Sequence, residues 1–302
     1  MPTRAELAAH IVSASHALHT RGWVANHDGN VSARLPGDRF LVTPTAISKA
    51  DATEGGLAIA GLDGKPVEGE ARPPSEFALH LGAYAERPDV QAVVHAHPPY
   101  ATALACAGKP IEVFLAEAIV SIGTRVPLTT FALPFGEAGA APIRALIPRH
   151  DALLLCRHGV LTVGPTVELA MLRMELVEHM ARILTLAQPH GGVQPLPADV
   201  IAPLLAKRRK AAGLLGAAAA QDGLAESLVP VESATDSAPA SSTPAWTPAG
   251  PAPAPDAWSG GKTEGACGVV YGAPDQPVKR PDAPTDLIQK VEAELRKALS
   301  GN

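Results

Sequence analysis

From Val90 to Pro98 the chain reads Val-Gln-Ala-Val-Val-His-Ala-His-Pro, a short apolar run that delivers two histidines one residue apart and stops at proline. The run has the length and β-branched content of a strand. In an extended segment residues i and i+2 project from the same face. His95 and His97 can therefore reach one ion, which is half of a metal site. Taken alone, the pair also fits a strand emerging into solvent, because short motifs recur by chance.

Three further stretches give the pair company. Leu153-Leu154-Leu155-Cys156-Arg157-His158-Gly159-Val160 is a buried-type strand that presents His158 at a glycine turn. Three neutral imidazoles leave a divalent ion one open position, the arrangement of catalytic zinc sites. Pro74-Ser75-Glu76 stands at the start of a helical pattern, where a carboxylate is held at a defined angle. Asn26 to Ser32 and Thr43-Pro44-Thr45 are polar turns whose N–H and hydroxyl donors suit a phosphate.

The surrounding pattern alternates irregularly between strand and helix. Helical spacing covers Glu6–Thr20, Ser75–Glu86, Pro98–Ala107 and Val167–Leu186. On the last of these, Leu169, Leu172, Leu176, Met180, Ile183 and Leu184 are expected on one packed side. Strand-like pieces occur at Asn30–Ser32, Phe40–Val42, Val90–Val94, Ala152–Cys156 and Val160–Val163. This predicts a mixed sheet covered by helices. Residues 1–221 form the expected catalytic domain. Residues 222–284, rich in Ala, Pro, Ser and Thr, bury too little apolar surface to offset chain entropy and read as a disordered, flexible linker. A short apolar island at 265–272 has no reading. Residues 285–302 place Leu287, Ile288, Val291, Leu295 and Leu299 on one helical stripe, opened by an Asp286/Gln289 capping pattern.

Composition removes several functions. The 302 residues carry a net charge of −5, so no basic footprint for nucleic acid or an anionic membrane is expected. No apolar run reaches the roughly 20 residues of a membrane span. The amphipathic N-terminus lacks the order of a signal peptide. Three widely spaced cysteines then read as reduced thiols in a cytoplasmic protein. Lys207-Arg208-Arg209-Lys210 reads as a solvated helix end, and His179 as a helix-surface or interface residue rather than a ligand. His27 and Asp28 are candidates for lining a site entrance.

Gly29-Asn30-Val31-Ser32, Thr43-Pro44-Thr45, Pro74-Ser75-Glu76, His95-Ala96-His97 and His158-Gly159 follow one another in an order that resembles the class II aldolase/adducin family, over about residues 5 to 200. The resemblance implies a three-layer α/β/α sandwich on a largely antiparallel sheet, assembled as a homotetramer with sites at subunit interfaces. It implies Zn2+, with Mn2+ or Fe2+ as alternatives, on His95, His97 and His158. Glu76 becomes the acid/base carboxylate and a resting-state ligand; Asn30, Thr45, Ala46 and Ser75 become phosphate or substrate contacts. The implied reaction is retro-aldol cleavage of a phosphorylated ketose such as L-fuculose-1-phosphate to dihydroxyacetone phosphate and lactaldehyde.

Two departures weaken a direct transfer. Pro74 stands where the family carries a small hydroxylated residue, and Ala46 where glycine is common. A family tyrosine that donates a proton across the interface aligns with Ala116, leaving its neighbour Glu117 as a candidate donor. Same-family dehydratases, epimerases and decarboxylases remain alternatives, as does a non-catalytic adducin-like scaffold, against which the retained histidines argue. An unrelated H-x-H metallohydrolase is disfavoured by the ordered motifs. The tail at 285–302 resembles the encapsulation peptides that bind shell proteins of bacterial microcompartments; the alternative is a helix that folds back on its own domain.

Overall fold

The computed structural model describes residues 2–214. The 222–284 linker, the 265–272 island and the 285–302 helix lie outside the described residues. The chain begins with α1 (Arg4–Thr20), β1 (Asn30–Leu35), β2 (Arg39–Val42), β3 (Ala58–Ala60), β4 (Pro66–Glu68), α2 (Phe77–Glu86) and β5 (Ala92–Ala96). It continues with α3 (Pro99–Cys106), β6 (Ile111–Glu112), α4 (Ala116–Ile122), β7 (Arg125–Val126), α5 (Gly136–Leu146), β8 (Ala152–Leu155), β9 (Gly159–Gly164), α6 (Val167–Ala187) and α7 (Ala198–Leu214).

Seven strands make one sheet in the order β4-β3-β2-β1-β5-β9-β8, with every neighbouring pair antiparallel. β6 and β7 pair separately. Side chains alternate across the sheet as the period of two requires. Val31, Ala33, Val94, Leu154 and Val160 join one core with α1, α3, α4 and α6. Phe40, Val42, Val93, Leu153, Leu155 and Leu161 join a second core with α2 and α5. Two cores on opposite faces of one sheet make the three-layer α/β/α sandwich. No helix among the described residues is long and apolar enough to cross a membrane.

Several elements went unread in the sequence. α5 contains Gly136, Gly139 and Pro142, poor helix formers. It forms because it packs closely on α2: a Cβ added at Gly82 would lie 3.1 Å from the Ala140 carbonyl oxygen. Small residues let the two helices approach, and tertiary contact overrides propensity.

Two expectations need correction. Of the six residues expected on the packed side of α6, only Met180 is buried; Ala170, Met171, Met174, Val177 and Ala181 fill the core instead, and Leu172 is 56% exposed. Ala lets the helix lie close on the sheet, and unbranched Met fills the irregular gaps that remain. Arg208 is not a solvated residue. Buried at 4% exposure, it donates to Asp151 and to the Ser121 carbonyl, fastening α7 to the domain.

Candidate metal centre and active site

The sheet register lines up Asn30 of β1, His95 of β5 and Leu161 of β9 in one row. His95 is fully buried, and its Nδ1 lies 2.9 Å from the Val160 carbonyl. A carbonyl only accepts, so Nδ1 carries the proton and Nε2 presents its lone pair. This is the tautomer of a metal-ligating histidine, held by a backbone acceptor on its far side.

His97 lies just beyond β5, tied by its N–H to the Trp23 carbonyl at 2.8 Å. Its Nδ1 faces Asp28 at 3.5 Å, while its Nε2 lies 3.2 Å from Nε2 of His95. His158 comes from the tight turn between β8 and β9, where Arg157 takes a left-handed φ of 56°. Gly159 is required beside it, since a Cβ there would stand 2.5 Å from both the Ala96 oxygen and His97 Cδ2. The three donor nitrogens lie within 4.8 Å of one another.

Glu76 immediately precedes α2. Its Oε1 is 3.0 Å from His158 Nε2 and its Oε2 is 3.6 Å from His95 Nε2. These separations bracket about 3.3 Å, the edge of a tetrahedron whose centre is about 2.0–2.1 Å from each donor. Burial pushes His95 well below the ordinary histidine range and also lowers His97, which favours the neutral form in which a ring nitrogen can serve as a metal ligand. Burial would raise Glu76, but the His158 hydrogen bond, the charges of His95 and His158 and the Asn30 amide outweigh it and hold the carboxyl well below its usual range. Converging lone pairs beside an anionic carboxylate are the donor set of a divalent cation, so the residues fit the metal expected of them.

The expected phosphate loops meet at the same end of the sheet. The Thr45 N–H donates to the Arg72 carbonyl at 2.9 Å, bringing 43–46 against 72–75. Lys49 donates from Nζ to the carbonyls of His27 and Ile47 at 3.1 and 3.2 Å, stitching the 26–30 loop to the same place. Its burial lowers the lysine from its ordinary value, although Asp28 and Glu76 favour the charge. Thr45, Ala46 and Ser75 are exposed and available to a ligand. Asn30 is 2% exposed, and its side chain is engaged with Glu76 and His80. Asp28 reaches His97, while His27 contributes its carbonyl to Lys49.

Glu117 is exposed on the first turn of α4 and, among the described residues, makes no hydrogen bond or ion pair to Glu76 or the histidines. His179 is exposed on α6. Sequence reading missed Lys49, Ser32 and His80 as site residues. The signal for the last two was there: Asn30-x-Ser32 on one strand face, and Glu76, His80 and Tyr84 at helical four-residue spacing.

The fold is an α/β/α sandwich, and its site is a cluster of three histidines beside a carboxylate, a donor set suited to a divalent cation. Residues 9–185 match the model of the Class II Aldolase and Adducin N-terminal domain, and the chain belongs to that family. It is 33% identical over 210 residues to a 5-methylthioribulose-1-phosphate/5-deoxyribulose-1-phosphate aldolase of Rhodospirillum rubrum, covering 68% of this chain and 92% of that protein. A 3-oxo-tetronate 4-phosphate decarboxylase of Pectobacterium atrosepticum is 28% identical over 201 residues, covering 65% of this chain and 91% of that one. Among solved structures, an L-fuculose 1-phosphate aldolase superposes with a TM-score of 0.64 at 27% identity, covering 68% of this chain and 97% of that chain.

Proposed function

We propose that this protein is a class II aldehyde-lyase that cleaves a 1-phosphorylated ketose into dihydroxyacetone phosphate and a short aldehyde. The observation that carries the reading is Glu76, a largely buried carboxylate set against three imidazoles whose donor nitrogens converge. His95, His97, His158 and, in the resting state, Glu76 would hold Zn2+, with Mn2+ or Fe2+ compatible with the same imidazole donors. Bound there, the ion supplies Lewis-acid stabilisation of negative charge on the substrate oxygens.

Glu76 handles the proton. In the synthesis direction it accepts the proton from the carbon beside the carbonyl, and in cleavage it returns that proton to the three-carbon fragment. The broken carbon–carbon bond leaves its electron pair on that fragment, and the hydroxyl proton released as the aldehyde forms passes to a second acceptor. We assign that role to Glu117 of a neighbouring copy in a homotetramer. Thr45, Ala46 and Ser75 would receive the phosphate, with Lys49 adding positive potential behind the loop.

The similarity to relatives acting on different ketose phosphates leaves L-fuculose-1-phosphate, rhamnulose-1-phosphate and 5-methylthioribulose-1-phosphate as the substrates to try. Decarboxylation of a 3-oxo acid phosphate is the second reading. It is favoured by Ala116 standing where the aldolase tyrosine is expected, since loss of carbon dioxide needs no proton on an aldehyde oxygen.

Metal analysis coupled to cleavage of each phosphate, with released carbon dioxide measured in parallel, separates the two. His95→Ala should lose most of its metal and its turnover together; full metal and full activity in that variant would overturn the site. We further propose, from the sequence pattern alone, that 285–302 is an encapsulation peptide after the 222–284 linker. A fluorescent protein fused to 280–302 should then concentrate in co-expressed microcompartment shells, and diffuse fluorescence beside assembled shells would refute this.

A further inference from the structure

Behind Glu76, on the side away from the histidines, runs a line of buried polar groups that no step above has used. Asn30 Nδ2 donates to Glu76 Oε2 at 3.0 Å. Asn30 Oδ1 lies 2.6 Å from His80 Nε2, and His80 Nδ1 lies 2.7 Å from Ser32 Oγ. Ser32 Oγ is 2.8 Å from the Tyr84 hydroxyl. Ser32 and His80 are fully buried, and Asn30 and Tyr84 nearly so. Two periodicities build the line: residues 30 and 32 share a strand face, while 76, 80 and 84 are stacked along α2.

Each direction in this line is forced by the one before. A carboxylate only accepts, so Asn30 must turn its amide nitrogen toward Glu76 and its oxygen toward His80. That oxygen needs a donor, which places the His80 proton on Nε2 and leaves Nδ1 to accept from Ser32. Ser32, having donated, accepts from Tyr84. Tyr84 is itself immobilised: it stacks on Phe40 with ring centroids 4.6 Å apart, and the Arg34 guanidinium lies 4.9 Å from its ring centroid and donates to its carbonyl.

We propose that His80 is a positioning residue for Glu76, acting through the amide of Asn30 to fix the carboxylate's rotation beside the histidine cluster. The proposal rests on the reading of Glu76 as the proton-transfer group. Glu76 needs such a support because it precedes α2 rather than lying within it. Its two oxygens also have separate partners, Oε1 toward His158 and Oε2 toward Asn30. Without a donor at position 80 the Asn30 amide keeps only its bond to Glu76 and loses the second anchor that fixes its plane. Burial keeps His80 neutral, with its pKa lowered to about 3, so one nitrogen always remains an acceptor for Ser32.

The test compares His80→Leu with His80→Gln, whose amide keeps a donor near the Nε2 position, in the full-length metal-loaded protein. His80→Leu should retain its metal and lose about 30-fold in kcat with KM within about threefold, the scale of a misplaced catalytic group. His80→Gln should recover to within about fivefold of wild type. Equal losses in both variants, or a loss confined to KM, would overturn the proposal. If His80→Leu fails to fold, Ser32→Ala replaces it, with a smaller kcat loss expected and an unchanged kcat counting against the relay. A second readout needs no turnover. Nitrogen NMR should find His80 protonated at Nε2, and the Asn30 side-chain amide should exchange slowly in wild type and faster in His80→Leu. The opposite tautomer, or unaltered Asn30 exchange, would refute the positioning role. A wild type silent toward every ketose phosphate but with these signals in place would refute the proposed activity instead.

Discussion

Asp151 lies between three guanidiniums, whereas Glu76 lies between imidazoles and an amide. Asp151 meets Arg87 at 3.2 Å, Arg173 at 2.9 Å and Arg208, joining the end of α2 to α6 and α7. Burial works against its charge, but Arg173, Arg208 and Arg87 together hold its carboxyl below the usual range. Guanidinium never gives up its proton in a protein, so this knot is permanently neutralised from within the chain. Burial disfavours the charged forms of His95 and His97, so Glu76 has no comparably fixed cation beside it. The two carboxylates show how burial distinguishes structure from chemistry: one is closed by fixed cations, and the other is left with converging lone pairs that a cation from outside must satisfy.

Exchanging charge for an isosteric amide at each position should break the molecule in opposite ways. Glu76→Gln should lose about 10³-fold in kcat, within the range for a positioned acid/base group, while its melting temperature moves little. Asp151→Asn should cost about 3–5 kcal/mol, because it leaves buried guanidiniums without their carboxylate. The folded fraction of that variant should turn over at the wild-type rate. Steady-state kinetics and denaturant melts on both variants check the contrast. A stable but inactive Asp151→Asn would dissolve it.

Acid titration sharpens the same comparison at smaller scale. His80 has its folded pKa lowered to about 3 from an ordinary 6.5. The unfolded chain therefore binds a proton that the folded one refuses as pH falls below 6.5, and stability decreases through the window from 6.5 toward 3. Between pH 7 and pH 5 this amounts to about 2 kcal/mol from His80. Asp151 shifts in the carboxylate range and contributes nothing there. Denaturant melts at the two pH values should show His80→Gln losing about 2 kcal/mol less than wild type. An equal loss in both would place the pH sensitivity elsewhere.

Much of this was legible because the informative residues obey strict periods. Val93/Val94 and Leu153/Leu154 alternate between two cores as a strand must, and His95 is placed by that alternation. The helices lost to sequence reading are those whose stability comes from elsewhere. α5 survives its glycines and Pro142 through contact with α2, and α7, of which only the basic end was read as helical, carries Pro203 within its span while buried Arg208 anchors it. The leucines of α6 misled because hydrophobicity alone cannot distinguish a face that must lie flat on a sheet from one at its margin. For the site, motif order identified the ligands. The relay through Ser32 and His80 was hidden because its two halves, Asn30–Ser32 and Glu76–Tyr84, meet only after the strand and the helix have packed.

The backbone carries a weaker form of the same contrast. Of the four non-glycine residues with positive φ among the described residues, Asn26, Ala46 and Arg157 flank the metal-site loops, and none neighbours Asp151 in sequence. Ala46, at φ 59°, holds a conformation that costs an L-residue about 1–2 kcal/mol. Glycine relieves that cost but returns freedom to the unfolded chain worth about 0.4–1 kcal/mol. Ala46→Gly should therefore raise stability by about 0.5 kcal/mol. A looser loop must be ordered when phosphate binds, so KM should rise about twofold while kcat holds, because Glu76 and its supports are untouched. A destabilised Ala46→Gly would mean that the alanine methyl makes a contact worth more than its strain, and the loop would then belong with the well-packed Asp151 region rather than with a site held under tension.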